Sequence, residues 1–405
     1  MAPWEVKKLG DIGKIYNGNS INEKVKKDRY TDVDEGLPFI ATKDVSYVNI
    51  IDYDNGIKIP FEEKEQFKIA PKNTVLICAE GGSAGRKIGF TNQDICFGNK
   101  LFALTANKNI ESSYVFYYYF TSSFQKQFSL SLTGLIGGVS MNKFKEIGIP
   151  IPSLSEQKHI VVILDEAFES ISKAKENAEK NLKNAKEIFE SYLKSVFENK
   201  IHGIESEALE NICELIVDCE HKTAPIQETG YPSIRTPNIG KGFLILDNVN
   251  RVSEETYLEW TKRAIPQASD LILAREAPAG NVAVIPENIK VCLGQRTVLI
   301  RPKKDKINSK YLAFLLLSKD VQEKLLLHSR GATVAHVNMK DIRAFKIYNL
   351  SSLSEQKSIV SKLDALSTET KKLEAIYEKK LADLEELKKS ILAKAFNGKL
   401  TEASA

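Results

Sequence analysis

The chain has 405 residues, 42% of them hydrophobic, which is too long for one ordinary core and too apolar for a disordered protein. A net charge of only +4 excludes holding nucleic acid by bulk electrostatics alone, and basic and acidic residues are nearly balanced in every part of the chain. Any DNA-facing surface therefore has to be assembled by the fold. The five cysteines, Cys78, Cys96, Cys213, Cys219 and Cys292, form no Cys-x-x-Cys pair, and the histidines are too dispersed to nominate a metal site. Buried thiols in a reducing cytoplasm are expected.

In chain order, the opening MAPWEVKKLG has no apolar run before a cleavage site, so it does not read as a signal peptide. No apolar stretch approaches the ~20 residues that span a bilayer, so no membrane role is expected. Residues 1–152 read as mixed α/β. The β-branched run 74–78 predicts a strand, and 114–128 predicts a helix packed on the sheet. Between them lies Gly81-Gly-Ser-Ala-Gly85, which lacks both dinucleotide and phosphate-loop spacing. It reads either as a tight turn leaving a buried strand or as a loop approaching a DNA backbone, with Ser83, Arg86 and Lys87 as donors.

From residue 153 the pattern changes to a helical period. Leu164, Phe168, Ile171, Ala178, Leu182, Ala185, Phe189, Tyr192 and Val196 step by three, four or seven, with no proline to interrupt them. Ser153 and Glu156 have capping-box spacing at its start. Residues 201–351 again read as mixed α/β, with strands at 271–273 and 297–300 and a helix at 311–327. A second long helix follows from 352, with Ile359, Leu363, Leu366, Thr370, Leu373, Tyr377, Leu384, Leu387 and Ile391 as its stripe. Two such helices pack most simply on each other. Connectivity makes them antiparallel, because the second globular domain begins where one ends and finishes where the other begins.

The two halves repeat one another. SLSEQK occupies 153–158 and 352–357. GLPFIAT at 36–42 answers GYPSIRT at 230–236, and PKNTVLICAEGGSAG at 71–85 answers PQASDLILAREAPAG at 266–280. CFGNK at 96–100 answers CLGQR at 292–296, and Tyr114 and Gln125 answer Tyr311 and Gln322. A repeat this long is a domain duplication, since solenoid periods are far shorter. The fold class expected is therefore α/β: two similar mixed domains, 1–152 and 201–351, separated by long antiparallel coiled-coil helices, 153–200 and 352–405, about a pseudo-two-fold.

No catalytic constellation appears. The Asn/Asp-Pro-Pro-Tyr run of amino-methyltransferases is missing, which argues against a self-sufficient restriction-methyltransferase. A two-headed coiled-coil adaptor with no DNA role is the alternative reading.

The repeated Pro/Ser-x-x-x-Glu-Gln-x-x-Ile run before each long helix, the opening WEVKKLGDI at 4–12, and DCEHKTAP at 218–225 followed by GYPSIRT carry a resemblance. Over essentially its whole length the chain resembles the specificity subunits of type I restriction-modification systems. The second copy departs from the pattern by reading Leu350-Ser-Ser-Leu where the first has Ile151-Pro-Ser-Leu. The resemblance implies a non-catalytic, DNA-binding subunit whose two target-recognition domains each read one part of a split target. It implies no cofactor in this chain. The expected partners are double-stranded DNA and two modification subunits carrying S-adenosylmethionine, joined in some systems by restriction subunits using ATP and Mg.

Base pairs are distinguished in the major groove by Arg, Lys, Asn, Gln and Ser/Thr contacts, while other polar groups position the protein on phosphates. The candidates in exposed loops are Ser20, Lys43, Ser83, Arg86 and Lys100 in the first domain. In the second they are His221, Lys222, Thr223, Arg235, Lys241, Arg275 and Arg296. Each also reads as solvated charge or a local cap. Lys43, His221, Lys222 and Arg235 stand out because they lie beside matched turns or in the motif itself.

Overall fold

The repeated SLSEQK does its work through two residue types, serine and glutamine. In the computed structural model, which describes residues 4–133, 137–198, 205–276, 279–326 and 336–400, it starts two 44-residue helices, Leu154–Phe197 and Leu353–Phe396. Ser153 Oγ accepts the Glu156 backbone N–H and Ser352 Oγ that of Glu355, each at 3.3 Å. These are donors a helix start leaves without intrahelical partners. The glutamine is the anchor. Gln157, buried, accepts the Glu111 N–H at 2.9 Å and donates to Pro152 O at 2.9 Å. Gln356, also buried, accepts the Asn308 N–H at 2.8 Å and donates to Lys306 O and Ser351 O. Each amide pins its long helix to the N-terminal end of a helix in an α/β body, Ser112–Tyr118 in one and Ser309–Leu317 in the other.

Contacts divide the chain into two units, Met1–Ala178 with Lys379–Ala405, and Glu179–Glu378. Each therefore holds an α/β body and a part of both long helices. In the first, an antiparallel sheet has the order Gly13–Asn17, Leu101–Ala106, Val75–Cys78, Ile88–Phe90. A second sheet has the order Lys58–Ile59, Leu37–Ile40, Ile95–Phe97, Ile69–Ala70, with Leu37–Ile40 parallel to Ile95–Phe97. Glu5–Lys8 pairs with Gly148–Ile151. The helix parts enter the same core: Phe168 meets the Tyr117 ring edge at 5.2 Å, and Phe396 lies 4.7 Å from Tyr114. Lys388 sits over Phe168, and Lys175 pairs with Glu385 at 2.7 Å, so these helix parts run antiparallel. Burial pushes the Lys388 pKa below its ordinary value.

The second unit repeats the plan. Its sheets have the orders Cys213–Asp218, Thr297–Pro302, Leu271–Ala274, Val282–Val284 and Arg251–Val252, Tyr231–Ile234, Cys292–Leu293, and Ser206–Ala208 pairs with Lys346–Tyr348. Leu193 and Phe197 of one long helix and Val360 and Leu363 of the other enter its core. All five cysteines are unpaired and buried.

Four expectations are corrected in detail. The helix expected at 114–128 is two, Ser112–Tyr118 and Ser122–Ser131, because Thr121 leaves helical geometry and its Oγ1 accepts the Phe124 N–H. Around Ser318 the helix at 311–327 likewise divides into Ser309–Leu317 and Lys319–Leu325, and residue 327 lies outside the described residues. At the C-terminal end of the first long helix Leu193 and Phe197 are the deeply buried positions, with Tyr192 and Val196 half-buried beside them. In the second, Leu373 and Leu387 are exposed. The seam there steps by four from 363, 370, 377 and 384 to half-buried Ser367, Glu374, Leu381 and Lys388, so Glu374 and Lys388 take the places that Leu373 and Leu387 were expected to fill.

The repeat also carries a one-residue shift that identities conceal. Asn73 donates to Thr91 O as Ser269 does to Ile285 O, and both have positive φ, 66° and 73°. Ala79 donates to Lys100 O as Arg275 does to Arg296 O. Arg275 thus stands where the first unit has buried Ala79, and Glu276 is the counterpart of Glu80.

Candidate nucleic-acid interface

In each unit the loops leaving the two parallel strands come together. Gly36 and Gly230 open the first of these strands with positive φ, and an added Cβ would lie 2.3 Å from Ile59 O and 2.2 Å from Val252 O, so only glycine fits. The strands end on the matched turns at 41–44 and 235–238. Asp44 accepts the Ala41 N–H at 2.8 Å, and Asn238 that of Arg235 at 3.1 Å.

In the first unit these turns and the 98–100 turn enclose a cleft of about 350 Å³ lined by Ser20, Lys43 and Lys100, together with Lys26 and Asn99. Three of the five candidates are thus brought to one place. Gly18 makes this possible: a Cβ there would fall 1.9 Å from Phe97 O, so its absence lets Asn19 bridge to Gly98. The other two gather around Tyr47. Its hydroxyl lies 3.0 Å from Ser83 Oγ, and its ring carries the Arg86 guanidinium and the Lys87 ammonium at 5.6 and 5.2 Å. Lys87 also donates to Thr42 O at 2.9 Å, next to Lys43. The glycine-rich loop itself is a tight turn, Gly81–Ser83, with Gly85 closing onto Cys78 O and holding Gln125. Gln322 holds Gly280 in the same way in the second unit.

In the second unit the Arg235 stem crosses the Gly294 turn. Gln295 of that turn donates to His221 O at 3.3 Å. Lys222 and Thr223 are exposed on the same loop. Asp218 holds the loop's base, accepting from Arg275 Nη1 at 2.7 Å with His221 Nε2 at 3.3 Å. The chain of contacts continues: Arg275 Nη2 lies 3.0 Å from His336 Nε2, His336 Nδ1 2.9 Å from Glu276, and Glu276 2.9 Å from Arg296 Nε. An arginine only donates, so His336 Nε2 accepts and its proton sits on Nδ1, facing the carboxylate.

Arg275, with its side chain 12% exposed, is therefore an internal tie. Arg296 keeps an exposed face. Lys241 is set apart from the other candidates: it pairs with Glu190 of the first long helix at 3.1 Å and lines a cavity of about 430 Å³ with Phe189, Phe243 and Phe314. Sequence reasoning missed Tyr47, Lys26, Gln295 and His336. Tyr47 lies in the run YVNI, which reads as buried strand, and His336 falls in a stretch with no repeat match.

Among the described residues no helix is long and apolar enough to cross a membrane, and no cluster of three or more His, Cys, Asp or Glu forms a metal site.

A family profile described as the type I restriction modification DNA specificity domain matches residues 1–182 and again 203–383. The chain belongs to this family. The double match falls on the two halves that the structure shows to share one topology. Relatives include the type I restriction enzyme MjaVIII specificity subunit of Methanocaldococcus jannaschii, 26% identical over 98% of this chain and 93% of that protein. The EcoBI specificity subunit of Escherichia coli is 22% identical over 97% and 85%. Among solved structures, the HsdS subunit from Thermoanaerobacter tengcongensis has a TM-score of 0.61 at 18% identity, covering 98% of each chain. A chain from work on complex assembly and conformational transition of the type I R-M system reaches 0.74 at 17%, covering 99% of each. The specificity-domain fold is thus common to both.

Proposed function

We propose that this chain is the non-catalytic, sequence-reading subunit of a type I restriction-modification complex. Each α/β body reads one part of an asymmetric, bipartite DNA target, and the long helices hold the two readers and seat two modification subunits. Those subunits bring S-adenosylmethionine and methylate adenine N6, and restriction subunits, where present, bring ATP and Mg chemistry. The domains act as 1–152 and 201–351 for reading, with 153–200 and 352–405 as spacer.

One observation carries this reading. The two bodies keep the same backbone plan, down to matched positive-φ turns, yet expose different polar groups on the same loops: Ser20, Lys43 and Lys100 on one, His221, Lys222, Arg235 and Arg296 on the other. A duplicated frame with unlike donors suits two unlike base sequences, since Lys, Arg and Ser/Thr place different demands on the groove edge.

Sequencing of adenine methylation in host DNA, with the gene intact and deleted, tests it. Deletion should erase one motif made of two unlike parts and an unspecified gap. A methylome unchanged by deletion, or loss of a continuous palindrome, contradicts the proposal.

A further inference from the structure

In the first unit, the turn at 46–50 exposes three large apolar side chains in four residues: Tyr47 is 58% exposed, Val48 72% and Ile50 65%. Among the described residues no other four-residue stretch exposes three. Single exposed hydrophobics are ordinary, but a cluster at a tip asks for a partner.

The turn is built to hold these side chains out. Its flanks, Val45 and Ile51, are buried and bridge to each other. The Ser46 N–H donates to Ile50 O at 2.9 Å, the Ile50 N–H to Ser46 Oγ at 3.0 Å, and Asn49 takes a φ of 66° with its N–H on Ser46 O. With its backbone bonded internally, the tip does not need the apolar groups to be where they are.

The matched turn of the second unit is used differently. There the Gly240 N–H donates to Phe243 O, as that of Ser46 does to Ile50 O. Lys241 is paired to Glu190, and Phe243 carries the Lys371 ammonium 4.8 Å from its ring centre. That turn is occupied by the long helices. The turn at 46–50 is instead surrounded by cations: Arg86 and Lys87 rest on the Tyr47 ring, and Lys43 is exposed three residues before the turn begins. Of the neighbouring acids, Asp44 is buried and bonded to Ala41, while exposed Asp52 is engaged by the Asp54 N–H.

An apolar tip with cations stationed at its base matches a surface of phosphates with apolar groups between them. The major groove of duplex DNA is such a surface, and its apolar group is the thymine C5-methyl. We infer that Val48 and Ile50 read thymine methyl groups in the part of the target bound by the first unit, while Arg86 and Lys87, held by Tyr47, engage the flanking phosphates. This rests on the DNA-reading function proposed above.

The test uses the full chain assembled with its modification subunits and the duplex its methylation defines. Each thymine is replaced in turn by deoxyuridine, which removes only the methyl, and binding is followed by fluorescence anisotropy. At least one replacement should weaken binding about three- to fivefold, the worth of one buried methyl group. The double variant Val48→Ser/Ile50→Ser should bind the unmodified duplex about as weakly and lose sensitivity to that replacement. Wild-type indifference to every deoxyuridine overturns the inference, as does a double variant that keeps the sensitivity. So does a variant that binds DNA normally but sheds the modification subunits on gel filtration, which would give the turn a protein partner. A wild-type complex that prefers no sequence at all brings down the DNA-reading function itself, whereas specific binding without deoxyuridine sensitivity brings down only the methyl contact.

Discussion

At one matched position the two units solve the same packing problem with opposite chemistry. In the first, Thr74 and Thr105 sit opposite each other on neighbouring strands, their hydroxyls 3.0 Å apart. In the second the same places hold Asp270 and Arg301, joined by two bonds of 2.8 and 2.7 Å, with Asp270 almost wholly buried. The Asp270 carboxylate raises the Arg301 pKa still further. The backbone register is unchanged while the pair has been exchanged as a unit. An ion pair in a core is hard to enter one residue at a time, because a lone buried charge is costly. The framework therefore tolerates divergence in matched pairs, and the loops diverge freely above it.

Breaking the pair should give the largest effect. Asp270→Ala should destabilise the second unit by about 3–5 kcal/mol, since it leaves Arg301 charged and unpaired. The double change Asp270→Thr/Arg301→Thr, which copies the first unit, should recover most of that loss. Urea unfolding of both variants decides, and a double variant no more stable than Asp270→Ala alone removes the equivalence. A smaller effect is expected at the helix anchors. Gln157→Ala strands the Glu111 N–H and Pro152 O, and Gln356→Ala strands the Asn308 N–H with Lys306 O and Ser351 O, each change costing about 1–3 kcal/mol in the same assay. No measurable loss at either position would show that its glutamine does not anchor the helix start.

The smallest effect separates the matched turns. Arg86→Ala should lower DNA affinity and reduce the slope of log affinity against log salt by about one, as expected for one lost phosphate contact. Lys222→Ala should act the same way from the second unit. Lys241→Ala should leave the slope unchanged, because its partner is Glu190 and an exposed pair of that kind contributes about 0–1 kcal/mol. Equal slopes for Arg86→Ala and Lys241→Ala would mean that the two turns face the same ligand.

Much of the architecture was legible in the sequence because duplication prints itself twice. SLSEQK located both helix starts to within a residue, and the stretches 36–42 and 230–236 were matched correctly, each holding the strand that leads into a matched turn. The anchoring role of Gln157 and Gln356 was not legible, since its partners, Glu111 and Asn308, lie far away in sequence and accept no pattern of their own. The stretch 71–85 aligned with 266–280 by identity at its ends, where proline and glycine agree. The hydrogen bonds place the strand one residue later, so Arg275 occupies a core position and its charge is taken up by Asp218. For the same reason an arginine in a loop-like run read as a DNA contact. In the second long helix, leucines on two adjacent rows gave two possible seams, and only packing chose between them.

The most direct test of two independent readers is to replace residues 1–152 with the corresponding domain of another family member and sequence the methylated DNA. One part of the target should change to that of the donor, while the other part and the methylation of its adenine persist. A hybrid that folds and assembles yet alters both parts, or neither, would contradict independent reading by the two units.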